Sequence, residues 1–249
     1  MKIYLISQVG GMNTDIVPHF FKYYEKLGID GFFITFHIHE NNKNFSNSIC
    51  SLTKKYNIID FNVLSGNWYH ILKGRWNKKI FEDNFSKFKN EDWILRADQD
   101  EFHKYPENNL KSFLKKCNDF KYEYIRGEVV DRLSLNFPKI TSECSLWDSF
   151  PKKEQIIKNV HKIMAAKKYV EVEHGAFHQL MNEIEPNKYK TNYKKYPEEL
   201  KYDHFKWDQS IFDRLDERIR IGPPNFNAKR QRQIRKTLVF STKIFKKLN

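Results

Sequence analysis

The sequence predicts an α/β protein built on a mixed, mostly parallel central sheet, and three observations lead there. Short β-branched and apolar runs alternate with amphipathic stretches of helical length through residues 1–105, which is the pattern of successive strand–helix–strand units. Turn and cap residues, Gly10-Gly11 and Gly28 among them, separate the two kinds of run, as helix and strand ends require. The chain has 249 residues, 40% of them hydrophobic and 16% aromatic, so one domain with a real core and at most a small appendage is expected.

Each element follows in order. Residues 3–9 form the first strand, and Asn13-Thr14-Asp15 offer caps for a helix over 16–27, where Ile16, Val17, Phe20, Tyr23, Tyr24 and Leu27 recur at helical spacing. A second strand at 31–36, a short helix at 47–56, a third strand at 58–64, a longer helix at 71–89 and a fourth strand at 92–97 continue the alternation. Past Pro106 the regularity weakens to a helix at 110–117, a strand at 122–130, an irregular stretch at 133–150, a strand at 169–173, and a loop and helix over 202–218. Residues 1–221 read as the domain, divided at 105/106, and Gly222-Pro223-Pro224 opens a C-terminal tail over 222–249.

Charge is a property of that tail. The formal net charge is +13, but residues 218–249 hold ten Lys/Arg and no acid, leaving 34 − 31 = +3 for residues 1–217. In the tail, Ile234, Leu238, Phe245 and Leu248 share one face of a helix and basic residues crowd the rest. Such a helix either enters an anionic membrane surface or packs its stripe on the domain. Specific nucleic-acid binding is disfavoured because interleaved stacking aromatics are scarce there. Cys50, Cys117 and Cys144 are odd in number and far apart, which fits neither a disulfide framework nor a zinc knuckle. The amino terminus reads as a strand rather than a signal peptide. A cytoplasmic protein, peripheral at a membrane if the tail binds lipid, is the expectation.

The segment that carries chemistry is Trp93-Ile94-Leu95-Arg96-Ala97-Asp98-Gln99-Asp100-Glu101-Phe102. A hydrophobic strand runs directly into three carboxylates, and in an open α/β sheet the carboxyl ends of the strands line the ligand crevice. Like charges so close repel one another, and a hard divalent cation neutralises them. Mg²⁺ or Mn²⁺ suits oxygen ligands, Mn²⁺ especially if a histidine joins them; the alternative is a solvated acidic turn. No phosphate loop, dinucleotide fingerprint or nucleophile elbow is present.

This segment resembles the Asp-x-Asp motif of GT-A-fold, nucleotide-sugar-dependent glycosyltransferases, and its Asp-x-Asp-Glu-Phe form is similar to the family 92 type and its bacterial family 2-like relatives. Residues 124–133, 146–151, 174–178 and 204–207 resemble later segments of the same group in the same order. The resemblance implies a Rossmann-like nucleotide-binding half and an acceptor half. It also implies transfer of a sugar from a nucleotide-diphosphate donor, a UDP-sugar by preference, to a saccharide acceptor in bacterial surface-polysaccharide assembly.

On that resemblance Asp98 and Asp100 hold the metal, Asp98 nearer the ribose, and Glu101 orients them or touches the acceptor. His204 returns to the diphosphate end as a further metal ligand, with Lys206 beside it as a donor contact. Arg75 is a candidate for the diphosphate, and Trp68 and Tyr69 for stacking on the base. If the reaction inverts the anomeric centre, a carboxylate must take the acceptor's proton. Asp131 is the first candidate, with Arg132 beside it to hold it ionised, and Asp148 and Glu143 stand in reserve. His174 and His178 are spaced as a zinc pair on a helix, which Gly175 and the preceding strand pattern weaken, so His178 reads as a polar group near donor or acceptor. His37 and His39 share one strand face, either as ordinary strand-end residues or as contacts to base and ribose. The competing readings are a metal-dependent phosphohydrolase on the same acids and a non-enzymatic basic binding module.

Overall fold

In the computed structural model, which describes residues 1–66, 70–107, 109–156, 160–175, 177–188 and 192–221, the first βαβ unit forms where the apolar spacing requires it. β1 (Ile3–Gly10) is buried along nearly its whole length, and α1 (Val17–Leu27) buries Val17, Phe20, Phe21 and Tyr24. β2 (Gly31–Ile38) runs parallel to β1, from Tyr4↔Gly31 to Gly10↔His37. Gly28 ends α1 at φ 96°, a left-handed cap that favours glycine. α2 (Phe45–Lys55) and β3 (Ile58–Ser65) add a second unit, with β3 parallel to β2.

Strand alternation sorts the two faces. Ile3, Leu5 and Val9 pack with α1 and α2, while Ile6, Phe33 and Ile94 pack with Ile80 of α3 (His70–Asp83) on the other side. That helix stops at Asp83 although the apolar pattern runs to residue 89. Asn84 turns its side-chain amide onto the Ile80 carbonyl at 2.9 Å and onto Asp60 at 2.8 Å, replacing helical continuation by a local cap. β4 (Trp93–Arg96) then pairs parallel with the free side of β1.

At Asp98–Asp100 the chain leaves this parallel half. β5 (Glu101–Lys104) lies at the far edge of the sheet. α4 (Leu110–Asp119), β6 (Tyr124–Leu133), the short α5 (Leu146–Ser149), β7 (Lys152–Glu154), β8 (His161–Ala166), the short α6 (Met181–Ile184), β9 (Leu200–His204) and α7 (Ile211–Ile221) follow. The strand order is β3-β2-β1-β4-β8-β6-β9-β5, with β7 on β6. β8 is antiparallel to both β4 and β6, β9 is parallel to β6, and β5 is antiparallel to β9. The result is the expected α/β class with a mixed sheet, parallel in its N-terminal half. The crossover between halves is the acidic segment itself.

Four strands, β5, β7, β8 and β9, lie where the sequence pattern did not place them. β8 occupies His161–Ala166, and the expected strand at 169–173 is reduced to one bridge, Val172↔Leu180. Val170 and Val172 are buried as their alternation implies. Ala165 and Ala166 have little strand preference of their own, and pairing on both sides decides their state. Likewise Leu200–His204 is a strand rather than a loop. Among the described residues no helix is long and apolar enough to cross a membrane, and the three cysteines are free thiols. The tail over 222–249, and Trp68 and Tyr69, lie outside the described residues.

Candidate active site

The turn that leaves β4 is braced from several directions. The Asp98 backbone N–H donates to Glu101 Oε2 at 2.8 Å, and the Glu101 N–H donates to the Asp98 carbonyl at 3.0 Å. Lys73 of α3 pairs with Asp98 Oδ1. Lys162 of β8 pairs with Glu101 and stands 3.3 Å from Asp98 Oδ2. Burial alone would raise the Asp98 pKa, but Lys162 and Lys73 outweigh it and hold the carboxyl at about 2. Each oxygen of Asp98 therefore already faces an ammonium group.

Asp100 meets a different set. Its Oδ2 is 3.6 Å from His204 Nε2 and 3.9 Å from Arg214 Nη1. Arg214 has its close partner elsewhere, in Asp208 at 2.8 Å. The other ring nitrogen of His204, Nδ1, lies 2.9 Å from Asp131 Oδ1, and the same oxygen accepts from Trp207 Nε1 at 2.8 Å. Burial works against charge on His204, yet Asp100 and Asp131 prevail and raise its pKa to about 9. Burial likewise opposes the ionised form of Asp100 and is overcome by His204, Arg214 and Lys206, which place it well below the usual carboxylate range.

The donor set can be compared with what a divalent ion needs. Among the described residues no three His, Cys, Asp or Glu side chains converge as a ligand group. Two protein donors do face each other: the 3.6 Å between Asp100 Oδ2 and His204 Nε2 is long for a hydrogen bond and within the roughly 4 Å that two ligands of one Mg²⁺-like ion span. Asp131 on Nδ1 is the carboxylate–histidine support that orients an imidazole toward a metal. The pair fits an ion that displaces the Nε2 proton of His204 and takes its remaining ligands from water and substrate oxygens, as Mg²⁺-type ions do. Asp98, expected as a second ligand, is instead held by lysines.

Other expected residues fall in varied places. Asp131 is buried and bonded to His204, to Trp207 and, at 3.2 Å, to the Ile156 N–H. Arg132, expected to hold Asp131 ionised, points to the opposite face of β6 by strand alternation. There it stands 3.7 Å from Asp203 and its guanidinium covers Phe205; His204 and Trp207 have the role assigned to it. Asp148 and Glu143 are exposed. Arg75 is exposed on α3, two residues after Lys73 and so on roughly the opposite side of the helix. Lys206 lies beside the Trp207 ring at 5.5 Å and adds positive charge near Asp100.

The histidine pairs separate. His174 packs against Phe81 at 5.4 Å between ring centres, and burial first, with Arg96 beside it, lowers its pKa to about 3. His178 is exposed, with Nδ1 2.6 Å from the His161 carbonyl. Gly175 breaks any helix between them, so they share no face. His37 bonds the Gly66 carbonyl at 2.8 Å, and His39 bonds Glu217 of α7; both rings are buried.

Lys73, Lys162, Arg214 and Gln99 did not stand out in the sequence. Gln99 accepts from the Gly10 N–H at 2.6 Å and donates to the Gly10 and Asn13 carbonyls at 3.0 and 2.9 Å. It thereby fastens the β1–α1 loop to the acidic turn. Its place between the two aspartates was the available signal; the three cations come from distant elements and carried none.

No protein-family model matches the chain, and no curated protein matches its sequence. Solved structures share its course distantly. HddC from Yersinia pseudotuberculosis aligns with 86% of this chain and 97% of its own at 10% identity and a TM-score of 0.42. S. aureus TarS aligns with 96% of this chain and 43% of its own at 12% identity and a TM-score of 0.43.

Proposed function

We propose that the protein is a nucleotide-sugar-dependent glycosyltransferase of the GT-A type, moving a sugar from a nucleotide-diphosphate donor, UDP-linked by preference, to a saccharide hydroxyl. The observation that carries this reading is the Asp100–His204 pair at a strand-end turn, with Asp131 behind the imidazole and Lys206 and Arg214 at hand. The resemblance of residues 93–102 and 204–207 to the glycosyltransferase pattern supports the same assignment.

A divalent ion, Mn²⁺ or Mg²⁺, held by Asp100 and His204 would supply Lewis-acid stabilisation of the departing diphosphate. The chain's own part is positional and electrostatic. Lys206 and Arg214 offer cationic partners to phosphate oxygens. Lys73 and Lys162 fix Asp98 so that its carboxylate is ionised and rigid where a ribose would lie. Gln99 holds the Gly10–Asn13 loop against this turn, which shapes the donor side of the crevice.

Titration calorimetry with UDP tests this reading. Binding is expected to strengthen with Mn²⁺ in the wild-type protein and to lose that dependence in Asp100→Asn and His204→Gln. UDP binding that ignores Mn²⁺ and both substitutions overturns it.

A further inference from the structure

We propose that His178 is the proton acceptor of the transfer reaction, receiving the hydrogen of the attacking hydroxyl on Nε2; the assignment rests on the donor reading above. The carboxylates near the turn have partners of their own, Asp100 in His204. Asp131 accepts three hydrogen bonds in a buried position, Glu101 is held by Lys162 and the Asp98 N–H, and Asp98 faces two lysines. Taking up a hydroxyl proton would weaken each of these pairings.

His178 is placed beside the same turn by its neighbour. Phe177 has φ 59°, a left-handed conformation that a bulky residue adopts only where its surroundings enforce it. Its N–H donates to Glu173 Oε2 at 3.0 Å and its carbonyl accepts from the Ile163 N–H at 2.7 Å. Its buried ring lies 5.8 Å from Lys73 Nζ and 5.5 Å from Lys162 Nζ, the two ammonium groups that hold Asp98. The strained turn thus delivers the next residue, His178, to the edge of the acidic site.

The ring is in the form a base needs. A carbonyl only accepts, so the 2.6 Å contact between Nδ1 and the His161 carbonyl places the ring proton on Nδ1 and leaves Nε2 with its lone pair. The residue is exposed at the surface, and among the described residues Nε2 has no partner. The charged groups that face it are Lys162, Glu101 and Asp98; desolvation first and Lys162 second lower its pKa, so it is neutral at pH 7. In the step, the hydroxyl proton passes to Nε2 as the hydroxyl oxygen bonds the anomeric carbon. The bond from that carbon to the phosphate oxygen breaks, and its electron pair leaves with the nucleotide diphosphate.

Release of UDP from a panel of UDP-hexoses, with water as acceptor and Mn²⁺ present, tests the step. His178→Ala is expected to lower turnover about 100-fold, the usual scale of general-base catalysis, while UDP affinity changes less than about twofold, and added imidazole restores turnover in proportion to its free base. Unchanged turnover, or a loss that imidazole does not rescue, overturns the role. Nitrogen-15 NMR of the wild type gives a second readout: a neutral ring protonated on Nδ1 at pH 7 is expected, and an imidazolium or the opposite tautomer overturns the proposal. A wild-type protein that binds no UDP is a different failure, of the donor reading itself, and this role falls with it.

Discussion

His204 Nδ1 and Asp131 Oδ1 lie 2.9 Å apart across β9 and β6, and that contact decides which way the imidazole points. With Nδ1 engaged, Nε2 has no choice but to face Asp100. The strand register makes the contact, since Asp131 and His204 are direct partners in the parallel β6–β9 ladder. Asp131 is thereby committed to the imidazole, to Trp207 and to the Ile156 N–H.

Asp131→Asn should leave the fold nearly intact and weaken Mn²⁺-dependent UDP binding by about 10- to 100-fold, the scale of losing a carboxylate behind a metal-binding histidine. Asp131→Leu should in addition lower stability by about 3 kcal/mol, because the buried donors of His204 and Trp207 lose their acceptor. Calorimetry and urea denaturation of the two variants separate these effects.

Lys162 is almost wholly buried, as is Glu101, with Asp98 next to both. Removing the ammonium leaves Glu101 without its cation and Asp98 with Lys73 alone, so Lys162→Met should cost about 3–5 kcal/mol of stability. The double variant Lys162→Met/Glu101→Leu should recover a large part of that loss, because one of the stranded charges goes too. Chemical denaturation of the single and double variants checks this. Equal destabilisation would mean that the pair is not coupled.

The parallel half of the fold was legible because each of its elements carries its own signal. Ile3 to Val9, the α1 apolar face and the Trp93–Arg96 run are buried as their period demands. Asp98 and Asp100 were visible for the same reason, as acids directly after a buried strand. The second half was less legible because its strands are made by pairing. The β8 sequence, His-Lys-Ile-Met-Ala-Ala, becomes a strand between β4 and β6, and only that placement brings Lys162 to Glu101. Local pattern says nothing of such long-range charge compensation, and neighbouring Arg132 looked like a partner of Asp131 only until the pleat sent it to the other face.

Stability should peak in pH near neutrality. His103 is buried and neutral with its pKa lowered to about 3, burial being the first cause and Lys162 the second, and His174 is lowered to about 3 as well. In the unfolded chain both bind protons below about pH 6.5, so their contribution is complete above that value and is lost as the pH falls toward 3. Asp98, at about 2 when folded, adds a further loss at still lower pH. His204 has the opposite sign: its folded pKa of about 9 means its contribution is present below about pH 6.5 and is lost as the pH rises through 9. Calorimetric melting of metal-free protein from pH 4 to 10 should show a maximum near pH 6.5, and His204→Gln should flatten the alkaline side alone.

Gln99 offers the sharpest separation of donor binding from folding. Its amide makes three hydrogen bonds to the backbone of the β1–α1 loop at Gly10 and Asn13. Gly10 has φ 111°, and a Cβ there would collide with the His37 carbonyl, so the position requires glycine, and Gln99 ties it to the acidic turn. Gln99→Ala should cost about 1–2 kcal/mol, given three partly buried bonds of modest net value each. The looser loop should raise the apparent KM for the nucleotide sugar about tenfold while kcat falls less, because Asp100 and His204 stay in place. Gln99→Glu keeps the acceptor for the Gly10 N–H but turns a donor toward two carbonyls into a second acceptor, so it should be worse than alanine for both stability and KM. Steady-state kinetics and denaturation of the two variants, read together, check the order. An unchanged KM in both would show that the loop holds its position without the glutamine.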